Sequence, residues 1–77
     1  MTNDIRQRLV AVPFLPFVVH TADGREYKVP TPDHAHVYPS GGRVSIFTDD
    51  DHEYILPALL ISGLKVHANG EDSKKSS

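Results

Sequence analysis

Two short alternating runs of apolar and polar residues flank the tripeptide Ala22-Asp23-Gly24. An Asp-Gly pair set between such runs is a strong local signal for a β-hairpin. Loop length then decides which side chains share a face. A two-residue Asp23-Gly24 turn sets Val19 opposite Lys28 and His20 opposite Tyr27, which mixes polar with apolar. A three-residue loop, with Gly24 as the left-handed bulge residue, sets Phe17 opposite Val29, Val19 opposite Tyr27 and Thr21 opposite Arg25. Val18 with Lys28 and His20 with Glu26 then take the other face. Only this second register gathers the apolar residues on one side, and it is the register expected.

Ahead of the hairpin, Ile5, Leu9 and Val12 fall at i, i+4 and i+7, one apolar stripe of a short helix over residues 3–11. Thr2 or Asn3 can cap it, Asp4 suits its first turn, and Pro13 stops it. A helix this short does not persist alone, so it is expected to dock. Beyond the hairpin, Pro30-Thr31-Pro32-Asp33 is a rigid connection, since two prolines so close cannot sit in a central strand. From His34 to Tyr38 the chain alternates, with His34, His36 and Tyr38 on one face and Ala35 and Val37 on the other. After the turn Pro39-Ser40-Gly41-Gly42, Val44 to Thr48 and His52 to Leu56 form a second hairpin around Asp49-Asp50-Asp51. Its register stays open: a three-residue loop pairs Ile46 with Tyr54, a four-residue loop pairs Ile46 with Ile55. Pro57 to Leu60 reads as one tight turn, and Ile61 to His67 as a last strand with Leu60, Ser62, Leu64 and Val66 on a common face.

One short helix and about five short strands make a mainly β chain, expected to close as a small, strongly bent five-stranded barrel of SH3-like or Sm-like form. Composition narrows what such a barrel can be. The chain has 77 residues and no cysteine, so neither disulfides nor thiolate-held zinc staple it. Residues 1–67 are expected to form the single domain, and 68–77, with one aliphatic residue, a disordered tail. A single core of that size supplies only about 3–5 kcal/mol, so self-association is an expected further source of stability. Net charge is −2 with the histidines neutral, not the basic balance of a protein that grips duplex DNA. No run is long enough for a membrane helix, and the N-terminus lacks the apolar core of a secretory signal, which makes a cytoplasmic protein the expectation.

The strings Pro13-Phe14-Leu15-Pro16-Phe17, Ala22-Asp23-Gly24-Arg25, Val29-Pro30, Pro32-Asp33 and Leu59-Leu60-Ile61 resemble a family of short, functionally uncharacterised bacterial proteins. That resemblance implies a bacterial origin and no particular activity. More distantly, a helix ahead of five bent strands is similar in order to Sm-like proteins, Hfq among them. The Tyr-Lys-His triplet of Hfq has no counterpart here, where the comparable stretch reads Leu59-Leu60-Ile61-Ser62-Gly63, so no RNA site carries over residue by residue.

Candidate chemistry is sparse. His34 and His36 point one way along a strand and His52 can lie near them, a partial set for zinc or nickel without a closing ligand. Asp49-Asp50-Asp51 lacks the spaced oxygens and glycine of a calcium loop and reads as a charged hairpin tip. No Gly-x-Ser-x-Gly elbow occurs, and His20 with Glu26 reads as a surface pair. The chain is therefore expected to be no enzyme, to carry no cofactor, and to act as a small binding or assembly module. Its candidate ligand-facing residues are His34, His36, Tyr38 and Arg43, and Phe47, Tyr54 and Ile55 are the candidate contact between subunits. The alternative is an Sm-like binder of single-stranded RNA, for which Tyr38, Phe47 and Tyr54 would stack bases. A clustered basic rim would favour RNA, and a contiguous apolar patch the assembly module.

Overall fold

The computed structural model describes residues 2–67, so the expectations for 68–77 lie outside the described residues. Among these residues one helix, α1 (Thr2–Val10), precedes six strands: β1 (Phe17–Thr21), β2 (Glu26–Val29), β3 (Ala35–Val37), β4 (Arg43–Phe47), β5 (Glu53–Pro57) and β6 (Ile61–Val66). Single 3-10 turns, Pro32–His34 and Ala58–Leu60, join β2 to β3 and β5 to β6. The strands number six rather than five, and they form two three-stranded antiparallel sheets, β2-β1-β6 and β3-β4-β5, instead of a closed barrel. The break between β2 and β3 falls on Pro30 and Pro32, which have no N–H to offer a ladder.

The first hairpin has the register that collects its apolar residues: Phe17 faces Val29 and Val19 faces Tyr27. Gly24 sits at φ 87°, and the Thr21 N–H closes the loop onto the Arg25 carbonyl at 3.0 Å. The second hairpin takes the three-residue loop, pairing Ile46 with Tyr54 and Phe47 with Glu53. Its tip repeats the first. Thr48 N–H donates to the His52 carbonyl at 2.9 Å, and Asp51 takes the left-handed place of Gly24 at φ 68°. In both tips a threonine hydroxyl, Thr21 or Thr48, donates to the aspartate two residues on, Asp23 or Asp50. That hydrogen bond is the main reason each carboxyl is held below its ordinary pKa, with Arg25 helping at Asp23 and His52 at Asp50.

Phe17, Val19 and Val29 of the first sheet meet Val37, Val44, Ile46 and Leu56 of the second, and Ile5 of α1 is fully buried among them. Leu9 packs at the margin of this core. The Arg6 guanidinium fastens the helix by donating to the carbonyls of Tyr38 at 2.7 Å and Pro39 at 3.1 Å. Val12 does not extend the stripe. The helix ends at Val10, the chain turns away through a cis Val12–Pro13 bond, and Val12 is left 96% exposed. In β6, strict alternation fails as well. Leu64 and Val66 face the core opposite Val19 and Phe17, but a bulge at His20/Thr21 hands the inward place to Ile61 and leaves Ser62 exposed, bonded to the His20 carbonyl.

Candidate functional site

A groove of about 590 Å³ opens where the two sheets fail to join, along the free edge of β2 and beneath the second hairpin. Its position follows from the pairing. The Thr21 N–H donates to the Arg25 carbonyl, a phase in which Tyr27 and Val29 direct their peptide groups at β1. The peptide groups of Glu26 and Lys28 then point away from β1, and among the described residues β2 has no strand on that side. The floor is apolar and aromatic: Ile46, Pro30, and the rings of Tyr27 and Tyr54, whose centroids lie 5.4 Å apart at a tilt of 58°. Such a tilted pair is a favourable aromatic geometry, and it leaves Tyr54 41% exposed at the mouth. Arg25 and Lys28 share the rim with Glu26 and Asp49, so the rim is mixed rather than basic.

The sequence candidates divide between this groove and another surface. Tyr54 is in the groove, and His34 and Phe47 border it. His34 is not on the strand with His36, because Thr31 caps a 3-10 turn by accepting from the Asp33 N–H at 3.2 Å, and His34 closes that turn. Its ring joins Thr31 Oγ1 at 2.7 Å to Asp49 Oδ1 at 2.8 Å, tying the turn to the tip of the second hairpin. His36 and Tyr38 stack at 5.6 Å on the outer face of β3-β4-β5, and His52 sits instead beside Tyr54 at 6.4 Å and Asp50 at 3.2 Å. The three histidines therefore do not converge. Among the described residues no group of three or more histidines, aspartates or glutamates is placed to hold a metal ion. Arg43 and Ile55 are also on that outer face, with Tyr54 on the inner one, so the candidate subunit contact is split by the alternation of β5.

Thr31, His34 and Asp49 line up as hydroxyl, imidazole and carboxylate, the order of a nucleophilic triad. Their surroundings fit a tether better. The Thr31 hydroxyl is engaged as the cap of its turn, and the Asp49 side chain is 92% exposed, where water weakens its hold on the imidazole. Tyr27, Arg25 and Lys28 are groove residues that sequence reasoning did not single out. The signal was present: the three-residue loops put Tyr27 and Tyr54 on the inner faces of both hairpins, and with the second register open the two could not be brought together.

No protein-family model, curated protein or solved structure matches this chain. Among the described residues no helix is long and apolar enough to cross a membrane.

Proposed function

We propose that this chain is a small, non-enzymatic binding module that captures an extended polypeptide segment in the groove beside β2. The observation that carries this reading is the coincidence of an unpaired strand edge with an aromatic floor. An added strand takes main-chain hydrogen bonds from the Glu26 and Lys28 peptide groups, and the tyrosines receive its alternate side chains. The pairing order supports an SH3-like or Sm-like architecture behind it. Counting β2 and β3 as one strand broken at Pro30–Pro32 turns the two sheets into the sequence of a bent five-stranded barrel with an open seam. Single-stranded RNA is the second reading, favoured by Arg25 and Lys28 beside the two rings and opposed by Glu26 and Asp49 on the same rim.

The test is selection of random dodecapeptides on the immobilised protein, followed by titration of isotope-labelled protein with the selected peptides and with oligouridine. Peptide binding should shift the amide signals of Glu26 and Lys28, and Tyr54→Ala should weaken it about tenfold or more without unfolding the chain. Selection that enriches nothing, or binding indifferent to Tyr54, overturns the peptide reading. Salt-sensitive oligouridine binding that needs Tyr54 establishes the RNA reading in its place.

A further inference from the structure

The outer face of β3-β4-β5, which reaches the groove only at Phe47, is built like a contact surface. By alternation it carries His36 on β3, Arg43, Ser45 and Phe47 on β4, and Glu53, Ile55 and Pro57 on β5. Ser45 lies at its centre and is only 1% exposed, although among the described residues no further strand pairs with this sheet. Tyr38, which continues the line of β3, covers it, and the Ser45 hydroxyl donates to the Tyr38 phenol oxygen at 3.2 Å. Ser45 is thus closed off from solvent, while Ile55 beside it stands 52% exposed. Arg43 and Glu53 occupy opposite ends, four residues of strand apart, and neither makes an ion pair among the described residues.

We propose that this face binds a second copy of the same chain, packed face to face about a two-fold axis that runs across the strands through Ser45 and Ile55. The charges single out that occupant. The rotation reverses the strands, so each Arg43 comes over the Phe47–Glu53 end of the other copy, and two unpaired cations meet two unpaired anions. Ile55 packs against itself on the axis. A partner of uniform charge would satisfy only one end. The face is small. Three strands about 4.8 Å apart and five residues rising about 3.3 Å each span a few hundred Å², below the roughly 800 Å² per partner of a standard stable interface. The dimer is accordingly weak and in fast exchange.

Sedimentation equilibrium over about 10 µM to 1 mM tests this, since a weak interface shows only near the top of that range. The apparent mass should rise toward twice the chain mass, and Ile55→Asp should hold it at one chain. Arg43→Glu and Glu53→Arg should each weaken association about tenfold, and the double reversal should restore it. All three substituted positions lie at the surface, and matched circular-dichroism melts establish that each of the four variants is folded. A monomer throughout, indifference to Ile55→Asp, or a double reversal no better than the single ones overturns the proposal. Tyr54→Ala, in the groove, should leave self-association unchanged, which separates this surface from the peptide site.

Discussion

Gly24 and Asp51 stand at the same left-handed position of two hairpin tips that are otherwise built alike. At Gly24 a new Cβ would meet nothing within 4 Å, so any cost of substitution there comes from the backbone alone. Gly24→Val should therefore destabilise by about 2 kcal/mol, because a β-branched residue resists positive φ. Asp51 already bears that strain in a residue type that tolerates it, and Asp51→Gly should change stability by less than about 1 kcal/mol in either direction. Urea denaturation of the two variants checks the contrast; equal losses would show that the tips do not share a conformation. The first tip was legible in the chain because Asp-Gly declares itself. The second was not, because an aspartate at positive φ carries no such mark, and its register had to come from the fold.

At the scale of elements, α1 is held chiefly by Ile5 and the Arg6 guanidinium, with Leu9 at the margin of the core. Ile5 is fully enclosed, and Arg6 grips the turn that follows β3. Ile5→Ala should cost about 2–5 kcal/mol, which is most of what a domain this small possesses, whereas Val12→Ala should stay within about 0.5 kcal/mol. Thermal melts followed by circular dichroism distinguish these outcomes, and a harmless Ile5→Ala would mean that the helix is not docked. The stripe Ile5, Leu9, Val12 shows where periodicity misleads. A proline at position 13 stops the helix far enough upstream to throw the third member into water. In β6 the error has another source, since period-two alternation survives only until a bulge, and one extra residue moves the inward place from Ser62 to Ile61.

Over the whole molecule, the order of strands was readable and their closure was not. Turn residues and alternation mark each strand locally, but whether two sheets join depends on pairings between distant residues that a pattern does not encode. The groove was hidden for the same reason, since its two tyrosines come from different hairpins. A shared property of both tips also acts globally. Asp23 and Asp50 have folded-state pKa values below their ordinary ones, so each contributes stability that is present above the unfolded value near 3.9 and is lost as pH falls through the folded value. The melting temperature should consequently drop once pH goes below about 4, with both hairpin ends loosening together. Replacing both residues with asparagine should flatten that acid limb; an unchanged limb would assign it to other carboxylates.

The chain has three tyrosines and no tryptophan, and two of those tyrosines face each other across the seam. Its intrinsic fluorescence is therefore tyrosine emission, and most of its emitters stand at the place where a guest would lie. Energy passing between the Tyr27 and Tyr54 rings, and their access to solvent quenchers, both depend on whether the seam is filled. On the proposed reading of the groove, the pair would serve as an unlabelled optical reporter of occupancy, with Tyr38 on the opposite face as the internal reference.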